Sequence, residues 1–108
     1  MRAIVLAPDQ RDRIAFADVP EPVPAVDEVV IDVRAVSLNR GEFRRLRQMA
    51  PGTIVGYDPA GVVAVEAADG SGPPQGTRVV GLVPNGSWAH RVAVPARVVA
   101  SIPDGVSF

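Results

Sequence analysis

Four groups of residues carry side chains that do chemistry. Arg40, Arg44, Arg45 and Arg47 crowd one short stretch, where guanidinium groups can grip phosphates. The chain as a whole carries 11 basic against 12 acidic residues, which gives no support to a general nucleic-acid binder. One arginine touching a phosphorylated cofactor is the milder reading, and a solvated helix face the plainest. His90 is the only histidine. One imidazole without cysteines makes a poor metal site, since catalytic zinc takes three protein ligands. Its run with Trp88, Val92 and Val94 at period two predicts a structural or rim residue rather than a proton carrier. The cluster Gly70-Ser71-Gly72-Pro73-Pro74-Gln75-Gly76 invites a nucleotide-loop reading, which fails on physics. A dinucleotide loop must open a helix whose free N–H groups meet the pyrophosphate, and here two prolines lack that group and a strand follows. A solvated loop is expected.

Gly56-Tyr57-Asp58-Pro59-Ala60-Gly61 is the most demanding turn. It sets a carboxylate beside a phenol, between two glycines, and opens into Val62-Val63. On the residues alone, a structural corner with Asp58 holding backbone N–H groups stands ahead of a functional site.

The elements that must position these groups are short. Twenty valines, 11 prolines and 10 glycines predict brief strands and frequent turns. Strands are expected at Arg2–Leu6, Ile14–Val19, Glu28–Val36, Gly61–Glu66, Thr77–Val83, Ser87–Val94 and Val99–Ile102. In the third, Val29, Ile31, Val33 and Ala35 alternate with Asp32 and Arg34, the pattern of a half-buried strand. One helix is expected over Gly41–Ala50. Asn39 caps it and Glu42 completes a capping box. Phe43, Leu46 and Ala50 would face inward, and Pro51-Gly52 ends it. The sum is a mainly β domain, an antiparallel barrel or sandwich with one or two short helices.

Composition sets the outer limits. At 108 residues, 47% hydrophobic and 21% charged, the chain is a single ordinary globular domain with a net charge of −1. It has no lysine, so Schiff-base and P-loop lysine chemistry are excluded within it. It has no cysteine, so disulfides, thiolate nucleophiles and cysteine-ligated metals are excluded too. No apolar run is long enough for a signal peptide or a membrane span. A cytoplasmic location without membrane or nucleic-acid partners is the default expectation.

Taken in order, four stretches carry a resemblance. They are Val36-Ser37-Leu38-Asn39-Arg40-Gly41-Glu42-Phe43, Gly56 to Val63, Gly76-Thr77-Arg78-Val79-Val80-Gly81, and Gly86-Ser87-Trp88-Ala89-His90-Arg91-Val92-Ala93-Val94-Pro95 closing with Ile102 to Phe108. Together they resemble the N-terminal, GroES-like catalytic domain of the medium-chain dehydrogenase/reductases, most of all the zinc-independent quinone oxidoreductase branch. Zinc relatives carry Cys at the position of Asn39 and a His-Glu pair at Tyr57-Asp58. An amide and a phenol there remove the donors zinc prefers, so the resemblance implies no metal.

The resemblance further implies a partly open antiparallel GroES-like barrel and hydride transfer from NADPH to a quinone or a conjugated carbonyl such as an enone. It places Asn39 and Tyr57 as catalytic-site residues beside the nicotinamide, with Asn39 and Arg40 contacting the cofactor. Phe43 stands where many relatives have Tyr, which removes one hydroxyl donor. Relatives continue into a Rossmann cofactor domain, so residues 1–108 are expected to be the substrate-side domain alone, inactive by itself. Exposed cleft surface is then expected to drive self-association, for example as a homodimer. Two other functions compete: an enoyl-reductase module of a larger synthase, and a non-enzymatic GroES-like binding or assembly module. The assembly role calls for a mobile apolar loop, and Asp69–Gln75 has no apolar anchor.

Overall fold

The computed structural model describes all residues from Met1 to Phe108. Its frame is β3 (Glu28–Val36), the longest strand, flanked on both sides by antiparallel partners. β4 (Pro59–Val65) pairs with one edge of β3, and β6 (Arg91–Pro95) with the other. β5 (Arg78–Gly81) and β7 (Val99–Ser101) extend the sheet beyond β4, giving the order β6-β3-β4-β5-β7. β1 (Arg2–Leu6) and β2 (Ile14–Asp18) form a separate hairpin ladder. The strands do not close on themselves, so the fold is mainly β and a partly open GroES-like barrel.

Valine alternation explains the main core. Val29 and Ile31 of β3, Val63 of β4, Val79 of β5 and Val92 and Val94 of β6 point to one side and pack together, each at most 6% exposed. Branched side chains fit such a pleated surface without losing further rotamer freedom. A second, smaller cluster joins Leu6, Leu46, Val55 and Trp88. It lies where the β1–β2 hairpin meets the only helix.

The register of β3 against β4 slips between Val30 and Ile31 and again between Val33 and Ala35. Gly61 sits opposite Val33 at the second slip. A Cβ there would run into the Asp32 carbonyl and lie 2.8 Å from the Ile31 side chain. The bulge therefore needs glycine for close backbone approach. On the outer face, Arg91 bonds Asp32 at 2.7 Å and reaches Glu21 at 3.7 Å. The bond to Asp32 comes first, then the charges of Asp32 and Glu21, in pushing the Arg91 pKa above its ordinary value.

Three expectations need correction. The run Ser87–Val94 is not one strand, because residues 87–89 are stitched elsewhere and His90 is shared between two partners. Ile4 N–H donates to the Trp88 carbonyl, Trp88 N–H to Val55, and His90 N–H to Arg2. The β3 ladder spans Arg91–Pro95 and reaches back only as far as the His90 carbonyl, which accepts the Val33 N–H at 2.9 Å. The segment crosses between the two sheets with the period-two pattern intact, which is why sequence alone could not separate them. The helix α1 covers only Arg40–Arg45, followed by a 3-10 turn over Leu46–Gln48. Pro51 disfavours the helical conformation at Ala50, so the chain turns extended at Met49. The inward face of that helix also differs. Glu42 and Leu46 are buried, whereas Phe43 is half exposed and Ala50 is exposed.

Candidate functional site

Glu42 is the organising residue. It is 1% exposed, and each carboxylate oxygen accepts a backbone N–H from a different segment. Oε2 takes the Asn39 N–H at 2.6 Å, closing the capping box of α1. Oε1 takes the Tyr57 N–H at 3.3 Å. Burying a carboxylate is costly unless donors replace its water, and charge-assisted bonds to N–H groups do that. One side chain thereby ties the helix entry to the Gly56–Asp58 turn.

This corrects the structural reading of that turn. The carboxylate holding its backbone is Glu42, not Asp58. Asp58 Oδ1 instead accepts the Asn39 side-chain amide at 3.4 Å. The same amide donates to Ser37 Oγ at 2.6 Å. Asn39 is therefore an exposed residue whose NH2 group is engaged by Ser37 and Asp58, while its side chain faces the Glu42 N–H in the capping box.

Tyr57 is half buried, and its backbone is fixed at both ends, since its carbonyl accepts the Val83 N–H at 2.7 Å. That bond continues the β4–β5 register, in which Ala60 faces Val80, past the end of β5 at Gly81. The ring lies against α1. A Cβ on Gly41 would sit 3.6 Å from Tyr57 Cε2 and 4.0 Å from its hydroxyl. Arg45, one turn on from Gly41 and so on the same helix face, places its guanidinium 5.2 Å from the ring centroid. The Tyr57 hydroxyl has no partner within the chain.

Behind the turn, Gly56 adopts φ +98° and presses on Ser87 and Trp88. Ser87 Oγ and Trp88 Nε1 are buried there without hydrogen-bond partners. The Trp88 ring also meets Phe43 edge-on at 6.2 Å, which brings the half-exposed Phe43 onto the second core.

The structure thus brings Asn39 and Tyr57 together. Arg40 opens α1 beside them, exposed and in no ion pair. His90 is not part of the site. It is exposed on the rim of a separate cavity of about 360 Å³ lined by Phe16, Val33, Leu38 and Trp88. The glycine-rich loop is also remote and solvated. Asp69 Oδ1 accepts the Ser71 hydroxyl at 2.6 Å and the Ser71 N–H at 2.8 Å, in that order of effect holding the Asp69 carboxyl below its ordinary pKa of 3.8. No group of three or more His, Cys, Asp or Glu side chains converges anywhere in the chain.

A second groove, of about 550 Å³, opens on the Tyr57 and Arg45 side and runs past Leu82, Pro84, Arg97 and Val98. It is the groove that contains a proposed site residue; the Phe16–Trp88 cavity contains none. The sequence missed Glu42 and Arg45 as site residues. Only the capping-box spacing hinted at the first, and nothing local pointed to the second.

Known proteins share this architecture. Residues 25–104 match the family model described as the alcohol dehydrogenase GroES-like domain. The trans-enoyl reductase opdC of Penicillium oxalicum is 37% identical over 101 residues, covering 82% of this chain and 28% of that protein. A mycocerosic acid synthase-like polyketide synthase of Mycobacterium tuberculosis is 31% identical over 114 residues, covering 99% of this chain and 5% of that one. The chain spans about a third or less of the curated relatives it matches.

Among solved structures, the human synaptic vesicle membrane protein VAT-1 homolog-like protein superposes with a TM-score of 0.89 at 30% identity. That match covers 100% of this chain and 37% of the human one. The quinone oxidoreductase of Thermus thermophilus, also solved in complex with NADPH, gives 0.80 at 32% identity over 99% of this chain and 34% of its own. The family model covers most of the residues that build the sheet, the Glu42 tie and the Tyr57 turn. The chain belongs to the alcohol dehydrogenase GroES-like domain family.

Proposed function

We propose that these 108 residues are the substrate-side domain of an NADPH-dependent, zinc-free reductase that delivers hydride to a conjugated carbonyl compound, an enoyl group or a quinone. The observation that carries the reading is the buried Glu42 carboxylate, which fixes Asn39 and Tyr57 side by side through their backbones. The free phenol of Tyr57, with Asn39 held beside it, suits a site that binds an oxygen by a hydrogen bond. Oxidoreductases among the relatives and neighbours support the reaction class, and NADPH-bound neighbours support the cofactor.

The residues present fit one edge of a nicotinamide cofactor. Arg40 is an unpaired exposed cation and Asn39 an exposed residue beside it, whereas no glycine-rich loop here opens a helix. The remaining surfaces of a dinucleotide site belong, on this proposal, to a cofactor domain outside these residues. When bound, the nicotinamide supplies the hydride. Tyr57 donates its hydroxyl hydrogen to the substrate oxygen as negative charge builds there, and Arg40 holds cofactor phosphate or ribose. Glu42 keeps both segments from shifting, and Phe43 contributes packing in place of a further hydroxyl.

Removing one well-placed donor to a developing oxyanion lowers turnover by about 10²–10³-fold. Tyr57→Phe in the protein joined to its cofactor domain should show such a loss, with an unchanged melting temperature. Unaltered kinetics would reduce Tyr57 to a structural corner. The trans-enoyl reductases and the polyketide synthase among the relatives favour an enoyl substrate, including the case of a module within a larger synthase. Offering an enoyl thioester and a quinone in parallel, with NADPH and with NADH, decides both substrate and cofactor. Failure of all four combinations would favour the binding-module reading.

A further inference from the structure

The groove beside Tyr57 has a chemistry of its own. Its floor is apolar and partly open to water, with Leu82 58% and Val98 39% exposed. Two guanidinium groups, those of Arg45 and Arg97, line it, and no Asp or Glu does. Neither arginine is fully committed elsewhere. The Arg45 contact to the Pro84 carbonyl is long, at 3.4 Å. Arg97 stands 3.8 Å from Asp27, with its side chain 74% exposed. Exposed pairs of that length contribute little and exchange readily for a better anion. A volume of about 550 Å³ lies within the range of small-molecule sites, which combine apolar walls with a few polar groups that fix orientation.

We propose that this groove is a subsite for an amphipathic anion, with Arg45 and Arg97 taking the anionic head and Leu82 and Val98 the apolar body. The inference rests on the reductase reading in one respect only. If Tyr57 meets the reacting carbonyl, the substrate then carries a carboxylate or phosphate group at a distance from that carbonyl, across an apolar spacer. The charge distribution favours this occupant over a neutral one, because two cations facing apolar surface with no counter-carboxylate in the lining leave a positive field that water alone would otherwise solvate.

Binding can be tested on the 108-residue chain, without cofactor or turnover. Octanoate, octyl phosphate and octanol would be titrated while the methyl resonances of Leu82 and Val98 are followed. Both anions should bind at least about fivefold more tightly than octanol at low salt, and that preference should shrink as ionic strength rises. Arg97→Gln, which leaves Tyr57 untouched, should weaken both anions several-fold and leave octanol unchanged. A stronger effect with octyl phosphate identifies a phosphate-ester substrate, and with octanoate a free acid.

Equal binding of octanol, or shifts confined to Phe16 and Trp88, would overturn the subsite. So would anion affinities indifferent to Arg97→Gln. Anion binding at the groove with no NADPH-dependent reduction by the protein carrying its cofactor domain would sink the reductase reading and leave the subsite standing.

Discussion

Replacing Glu42 tests the arrangement at its centre. Glu42→Gln keeps one carbonyl oxygen but turns the other position into an NH2 group, which cannot accept from an N–H. One of the two backbone donors, Asn39 or Tyr57, is then left unpaired at a site where the native side chain is 1% exposed. A buried donor without a partner costs about 1–3 kcal/mol, and hydrogen bonds to charged groups sit at the upper end. The 2.6 Å bond to Asn39 is the stronger of the pair and the 3.3 Å bond to Tyr57 the weaker. We therefore expect a loss of about 1.5–2 kcal/mol for Glu42→Gln and about 3–4 kcal/mol for Glu42→Ala, which strips both acceptors. In a domain of this size each kcal/mol lowers the melting temperature by about 4–8 °C, so even the glutamine variant should melt several degrees early.

Calorimetry reads the stability, and amide hydrogen exchange reads the cause. Exchange at one of the two amides, Asn39 or Tyr57, should accelerate in Glu42→Gln and at both in Glu42→Ala, while other amides of the main sheet stay protected. Glu66 serves as the control, because its exposed carboxylate also accepts a backbone N–H, from Gln75 at 2.8 Å. Glu66→Gln should change stability by less than about 0.5 kcal/mol. If Glu42→Gln melts with the wild type, or no earlier than Glu66→Gln, the buried tie does not organise the site.

Gly61→Ala should destabilise by about 1–3 kcal/mol or more in denaturant unfolding, since the new methyl meets the Asp32 backbone across the bulge; a neutral outcome would mean that β3 and β4 can part there. Asp69 should titrate below 3.8 by NMR, and Ser71→Ala, which removes the hydroxyl but leaves the N–H, should move it upward. The folded state holds that carboxyl deprotonated, so its small stabilising effect is present above 3.8 and fades as the pH falls through the depressed folded value. Phe16 and Leu38, 71% and 73% exposed around the 360 Å³ cavity, should drive concentration-dependent association in sedimentation experiments, and Leu38→Ser should weaken it. A chain that stays monomeric at every concentration would remove that expectation.

Much of the fold was legible from local chemistry. Alternation along Glu28–Val36 and the proline and glycine breaks located the strands other than the Ser87–Val94 run, because a pleated backbone alternates its side chains whatever surrounds it. The order of the motifs pointed to the GroES-like family. Spacing placed Asn39 at the helix cap and Glu42 at the third helical position, for the same local reason. Periodicity could not say that Ser87–Ala89 leave β3 for β1 and the Val55-Gly56 segment while Arg91–Pro95 pair with β3, since the partners ask for the same pattern. It also predicted Phe43 inside and named Glu42 only as the partner of Asn39 in a capping box. Only the folded chain reversed that, by bringing the Tyr57 N–H from fifteen residues away to the second carboxylate oxygen. Whether a charged side chain can be buried depends on donors supplied from another segment, and no window of sequence holds both. The groove past Tyr57 follows the same rule, joining Arg45 of the helix to Arg97 beyond β6.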